Sequence, residues 1–358
     1  NRAALEGEVR NLGGFIQSVK GQLSHTDYQH TEFEGPNPGT VFKNKGSDFR
    51  LEARHARLGN LDGVIGFQTE NNKFSADGAE AFAPYSKTSQ NAVFAYEEYA
   101  TSWGKLSFGG RLESVKVESL GNPLVARFAP LTRDFTPHSY ALGALWNAAP
   151  GWQVTGNLAY TERAPKDYEL FAQGPHVATK AWETGDPTLG KEKSTSLDVG
   201  ANWKSGANSF SANAYVHRFK NYIGLLATGN SYGQEDGMLN PADLDGDGVD
   251  DANPDNSLLP EFAYTGVRAR FVGLEASGNI RLMGADGGAS SLDLALRGDL
   301  VRATNLSSGQ PLPRIAPARL GASLIWASGP WGSSIGFDHS AAQTRVAAGQ
   351  RATSAYTL

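Results

Sequence analysis

The chain has 358 residues, no cysteine, 42 glycines, 17 prolines and a formal net charge of -5. Zero cysteine excludes disulfides, thiolate metal sites and cysteine nucleophiles, and mild acidity argues against a nucleic-acid partner, which needs a basic face. No run of about 18 apolar residues occurs, so no transmembrane helix is expected, and no basic-then-apolar leader opens the chain.

In chain order, the dominant signal is period-two alternation. Over 15–34, Phe15, Val19, Gly21 and Leu23 share odd parity, while Lys20, Gln22, Ser24 and Tyr28 share even parity. Around Phe49, Leu51 and Ala53 the other face holds Asp48, Arg50, Glu52 and Arg54. Segments 152–160 and 197–203 repeat the pattern. The clearest case is 292–300, where every even position is Leu or Gly and the odd positions carry Asp293, Arg297 and Asp299. Such strands have one apolar and one charged face. A chain only 40% hydrophobic suits a barrel with a wet interior, which needs one apolar face per strand.

Connection lengths support that reading. Short connections fall near 12–14, 59–63, 102–105, 149–152, 204–208, 284–290 and 328–331. Long ones fall near 27–41, 75–88, 119–134, 163–191, 226–266, 304–315 and 343–354. They interleave, which predicts an all-β, antiparallel up-and-down transmembrane β-barrel, present as a partial barrel of about 14–15 strands. Six of the seven tryptophans (Trp103, Trp146, Trp152, Trp203, Trp326, Trp331) lie near short connections, as an aromatic belt at one interface would place them. The chain ends inside an apparent strand, and an open edge in lipid is not viable. Residues 1–358 are therefore expected to be one barrel domain fragment, with a plug domain and closing strands lying outside it.

Two constellations could hold cations. Even parity places His30, Glu32 and Glu34 on the lumen side near the long-loop rim, where imidazole and carboxylates could converge on a divalent ion, zinc suiting the histidine; otherwise they only line the vestibule. The loop Asp243-Leu-Asp245-Gly-Asp247-Gly-Val249-Asp-Asp251 matches D-x-D-x-D-G-x-x-D. Oxygen ligands at this spacing wrap calcium, with the Val249 carbonyl supplying a further oxygen, and the glycine allows the turn. Its competitors are an acidic disordered loop and weak capture of a transported metal. His176, with Glu183 and Asp186 following, reads by pattern as a solvated loop histidine. His25 and Asp27 fall on the lipid-side parity, and His55, His217 and His339 read as structural. No G-x-S-x-G, H-E-x-x-H or P-loop is present, so no enzyme is expected.

The stretch Tyr160-Thr-Glu-Arg-Ala-Pro-Lys-Asp-Tyr-Glu-Leu-Phe-Ala-Gln-Gly-Pro-His176-Val-Ala-Thr resembles the signature of TonB-dependent outer-membrane receptors. Its Gly-Pro-His-Val-Ala-Thr extension, together with Leu23-Ser-His25-Thr-Asp27-Tyr-Gln-His30-Thr-Glu32-Phe-Glu34-Gly and Arg218-Phe-Lys-Asn-Tyr222-Ile, resembles the zinc-uptake receptors of the ZnuD type. The resemblance covers nearly the whole chain as barrel, without plug, TonB box or closing strand. It implies a Gram-negative outer-membrane receptor importing a scarce metal, with zinc as first choice. Haem or a ferric siderophore, or a passive porin-like barrel, are the alternatives. It further implies that His176 is a substrate ligand, that the TonB-ExbB-ExbD complex is engaged through the plug, and that the receptor works as a monomer in the bilayer on a metal ion or metal chelate.

Overall fold

The structure is a computed structural model that describes every residue except 35, 79 and 80, and the backbone alone at 34, 37, 38 and 177. The side chain of the candidate ligand Glu34 thus lies outside the described residues. The first strands are β1 (Arg2–Arg10), β2 (Ile16–Glu34), β3 (Asn37–His55), β4 (Leu61–Asp77), β5 (Tyr85–Thr101) and β6 (Gly104–Gly121). Next come β7 (Pro130–Phe135), β8 (His138–Ala149) and β9 (Trp152–Arg163). Helix α1 (Asp167–Phe171), β10 (Gln173–His176) and β11 (Ala181–Thr184) occupy the following connection. Then come β12 (Glu192–Ser205), β13 (Asn208–Gly233), the short β14 (Val249–Asp250) and β15 (Asn253–Met283). The chain closes with β16 (Ser290–Asn305), β17 (Arg319–Ser328), β18 (Trp331–Ser340) and β19 (Tyr356–Thr357).

Wall strands pair antiparallel with their neighbours in sequence. β7 and β8 both pair with β6, and Pro137 between them interrupts what is otherwise one strand. Leaving β10, β11 and β14 to the loops, the wall has fourteen strands and the start of a fifteenth. Among the described residues it does not close: β1 pairs only with β2, and β19 only with β18.

The register sorts residues by face. Phe108, Leu142, Leu158, Leu197, Val216 and Val272 stand opposite one another across successive strands. Gln153, Asn202, Ser211, Ser277 and Arg297 do the same on the alternate face. The polar face is the concave one. Side chains two strands apart meet there: Arg50 lies 4.2 Å from the Phe94 ring, Arg111 Nη1 donates to Gln68 Oε1 at 3.3 Å, and Arg297 Nε donates to Asp338 Oδ1 at 2.9 Å. Gly66 and Gly321 leave room between two of these pairs; a Cβ at Gly321 would sit 2.7 Å from Arg297 Nε. The connection carrying α1 also packs on this face, against Val115 and Val117. Leu292, Leu294 and Leu296 therefore point outward, and Asp293, Arg297 and Asp299 inward, as the alternation predicts.

The outer face is a belt of exposed apolar side chains; Leu142 is 54% and Leu158 51% exposed. Trp146, Trp152, Trp203, Trp326 and Trp331 sit at its lower edge by the short turns, Trp152 and Trp203 with ring centroids 6.1 Å apart. Several strands run farther than their alternation suggested. β2 runs to Glu34 and β3 begins at Asn37, where a long loop was expected, because cross-strand pairing continues above the membrane through His30↔Phe42. β13 and β15 likewise extend to Gly233 and from Asn253, shortening the expected 226–266 loop. In this upper part the inner face turns apolar and holds three clusters. They centre on Val117 with Leu170, on Phe42 with Ala76, and on Ala303 with Leu312.

Candidate functional site

The Glu-Arg-Ala-Pro stretch anchors the 164–191 segment over the barrel mouth. Arg163 Nη1 donates to Glu169 Oε2 at 2.8 Å, and its Nη2 to Glu192 Oε2 at 3.2 Å. Glu169 Oε2 also accepts the Lys166 N–H at 2.7 Å, which opens α1. Glu162 is buried and holds Lys191 and the Tyr160 hydroxyl. One charge-assisted hydrogen bond is worth about 1.5–3 kcal/mol, so this network can hold a segment that has little core of its own.

Beyond α1, β10 and β11 form a hairpin with Pro175 opposite Trp182 and His176 opposite Ala181. β11 adds to β15 in parallel, with Trp182 opposite Glu261. Trp182 is 2% exposed and stacks on Tyr232 at 4.6 Å, with Arg127 over its ring at 5.5 Å. Arg127 Nη2 donates to Ala81 O at 3.0 Å; a Cβ at Gly174 would lie 2.7 Å from that nitrogen, so only glycine lets the guanidinium cross.

His176 sits at the centre of this arrangement. Its Nδ1 lies 2.8 Å from Glu183 Oε1, and Phe82 stacks on the ring at 4.6 Å and 2°. Glu183 is buried, and its Oε2 accepts the Tyr264 hydroxyl at 3.1 Å. Burial, and then the Glu183 charge, push the Tyr264 hydroxyl pKa up, so it stays a donor. A carboxylate can only accept, so Nδ1 carries the proton, and the lone pair of the neutral ring lies on Nε2. Glu261 is also buried. It accepts the Thr184 and Thr228 hydroxyls at 2.7 Å and the Asn230 amide at 2.9 Å, fastening the hairpin to β15.

The other candidates lie apart. His30 faces inward and stacks on Phe42 at 4.8 Å; its Nε2 is 3.6 Å from Glu32 Oε1, and its buried Nδ1 has no hydrogen-bond partner. A register shift between Thr31 and Phe33 ends the regular alternation there. Asp186 accepts the Thr188 N–H at 2.7 Å and shapes a turn. Among the described residues, neither histidine pair joins a group of three ligand-bearing side chains. Asp243, Asp245 and Asp247 do form one, with ligand atoms within 4.8 Å of one another. Gly246 and Gly248 take left-handed φ of 77° and 85° to let the loop turn. Val249 pairs with Ser257 in β14 and gives its N–H to Asp247, while Asp251 accepts the Leu244 N–H at 2.6 Å. His55 holds Glu97 on the outer face near the lower rim, His217 holds Asp198, and His339 meets the Thr357 hydroxyl. Phe82, Arg127, Tyr264 and Glu261 were missed by sequence reading. Tyr264 is 81 positions from Glu183, and nothing local marks it.

A meandering wall, apolar outside and charged inside, with a folded hairpin in its mouth, defines a bacterial outer-membrane β-barrel. A family model described as "TonB dependent receptor-like, beta-barrel" matches residues 4–358, and the chain belongs to that family. Similar solved structures include "Copper transporter OprC", 19% identical with a TM-score of 0.75 over 100% of this chain and 55% of that one. The FrpB iron transporter from Neisseria meningitidis (F3-3 variant) is 10% identical, TM-score 0.66, over 99% and 54%. The ferric citrate transporter FecA is 12% identical, TM-score 0.66, over 100% and 52%. At these identities the likeness concerns the fold. The chain spans about half the length of each.

Proposed function

We propose that the whole protein is a TonB-dependent receptor importing a scarce metal ion, with zinc as its cargo and His176 as one ligand at the outer mouth. The observation that carries this reading is the His176–Glu183 pair. A buried carboxylate holding one ring nitrogen is the support that metal-ligating histidines use; it fixes the tautomer and raises the basicity of the other nitrogen. Zinc accepts imidazole and carboxylate. The barrel residues give too few donors for a closed tetrahedral site, so a plug domain would supply the rest, and the open shell suits an ion that must be released inward. His30 with Glu32 and Glu34 would form an approach to that site. The receptor would act as a monomer, powered by TonB-ExbB-ExbD through the plug. We assign calcium to the Asp243–Asp247 loop, where three carboxylates already share one small volume.

The test is growth of cells carrying the full receptor under zinc limitation, and separately on haem as sole iron source. His176→Ala should impair the first and spare the second. Normal zinc-limited growth removes His176 from the site; a selective defect on haem favours a haem receptor.

A further inference from the structure

Directly above the apolar row of the outer wall runs a second row in register: Tyr140, Tyr160, Thr195, Arg218, Arg270 and Thr304. Tyrosine at this height marks the upper membrane interface. Arg218 and Arg270 are directly opposed across β13 and β15, next above the opposed pair Val216 and Val272. Arg302 stands opposite Val272, hence diagonal to Arg270 on the same face. All three arginines are exposed.

Like charges directly opposite each other in a sheet are destabilising. On the inner face of these strands Asp198 meets His217, Asp293 meets Arg281 and Asp299 meets Arg319. The outward lysine row Lys45, Lys73 and Lys87 is bracketed by Asp27 and Glu118. Among the described residues, no carboxylate lies within ion-pair distance of Arg218, Arg270 or Arg302. Three arginines at the interface with no internal counter-ion call for an external anion, and guanidinium matches phosphate oxygens in bidentate geometry. Beside them, Arg270, Val272, Leu300, Arg302 and Pro317 line a cleft of about 650 Å³. Register places Val272 one same-face step toward the belt from Arg270, and Leu300 one such step from Arg302.

We propose that Arg218, Arg270 and Arg302 bind the phosphate of an anionic lipid headgroup in the outer leaflet, with the acyl chains lying on Val272 and Leu300. The belt already contacts lipid along these strands, so the lipid needs no new surface, only a headgroup of the right charge. This inference is independent of the imported cargo.

The test uses the full-length receptor in neutral detergent, with bound lipid counted by native mass spectrometry. Phosphatidic acid should be retained in preference to phosphatidylcholine. Each Arg→Gln change at 218, 270 or 302 should weaken that retention about fivefold, and the triple variant at least about fiftyfold. Arg297→Gln, on the inner face, should change nothing. Arg270→Gln should also keep or raise the melting temperature in neutral detergent, because it removes an unscreened repulsion; this readout does not depend on lipid. Unchanged retention by the triple variant would overturn the proposal. So would displacement of phosphatidic acid by equimolar inorganic phosphate, which would make this a site for soluble anions.

Discussion

Phe82 and Glu183 grip the same imidazole from perpendicular directions: Phe82 covers the flat of His176, and the Glu183 carboxylate takes its Nδ1 at 2.8 Å. Both the position and the tautomer of the ring are therefore set before any cargo arrives. Glu183→Gln should keep the ring in place, since an amide oxygen still accepts, but lower its basicity. Zinc affinity of the full receptor should drop about 10–100-fold, while His176→Ala should abolish the His176-dependent heat in calorimetry. On the proposed reading protons compete with the metal for His176 Nε2, so affinity should weaken as pH falls toward about 6. A zinc affinity untouched by Glu183→Gln would dissociate the carboxylate from metal binding.

Glu261 makes the docking of the β10–β11 hairpin pH-dependent. Burial pushes its carboxyl up, but hydrogen bonds from Thr184, Asn230 and Thr228 outweigh burial and hold it below the ordinary 4.5. The residue lies far above the lower turn at 284, outside the roughly ten residues that span a membrane. A depressed carboxyl stabilises the fold above its unfolded value, and that contribution disappears as pH falls through the lower folded value. The protection factor for hydrogen exchange at Trp182–Thr184, taken against the intrinsic rate at each pH, should thus be high at pH 6 and fall as acid protonates Glu261. Glu261→Gln should be less protected at neutral pH and lose the pH dependence; an unaltered pH profile in that variant would place the titration elsewhere.

The acidic loop should answer to calcium. Asp243, Asp245 and Asp247 are exposed and mutually repulsive without a cation. Calcium should give a binding heat and protect 234–252 from proteolysis, with Asp245→Ala removing both. A titration without heat would leave only turn formation, in which Asp243 accepts the Gly246 N–H at 2.8 Å.

The two faces of β9 should respond oppositely to charge. Leu158→Arg puts a guanidinium on the lipid belt and should cost about 2–4 kcal/mol in folding from detergent into bilayers. Asn157→Arg, one residue earlier but facing inward, should cost under about 1 kcal/mol. Equal costs would contradict the assignment of faces.

Gly66 and Gly156 separate a needed glycine from a tolerant one. A Cβ at Gly66 would lie 2.7 Å from Phe94 Cε1 and 2.8 Å from the Leu51 carbonyl oxygen, disrupting the Arg50–Phe94 contact. Gly66→Ala should destabilise by about 1–3 kcal/mol. Gly156→Ala, with nothing within 4 Å of the added Cβ, should stay within about 0.5 kcal/mol. Denaturant unfolding of the refolded receptor distinguishes them.

Fold class, strand count and face assignment were legible in the sequence because period-two alternation is a local property. Leu292 to Leu300 announces one apolar and one charged face whatever the strand pairs with. Strand ends were less legible: above the membrane both faces are wet or loop-covered, so the alternation fades while backbone pairing persists, as between His30 and Phe42. The Asp243–Asp251 spacing marked its loop for the same local reason as the strands. The Glu-Arg-Ala-Pro stretch marked the family; its structural reason, Arg163 clamping Glu169 and Glu192, became visible only once β9, α1 and β12 were set side by side.

The sequence by itself determined which residues face lipid, because hydration decides that residue by residue. Only the tertiary structure decided the company of His176. Glu183 arrives through a hairpin, Phe82 through the connection after β4, and Tyr264 through β15, 81 positions from Glu183. It equally decided that Arg218, Arg270 and Arg302 share one face with, among the described residues, no carboxylate within ion-pair distance, since that depends on the register of three strands. Pairing register fixes cross-strand neighbours through backbone hydrogen bonds summed over whole strands, and no short stretch of sequence contains that sum.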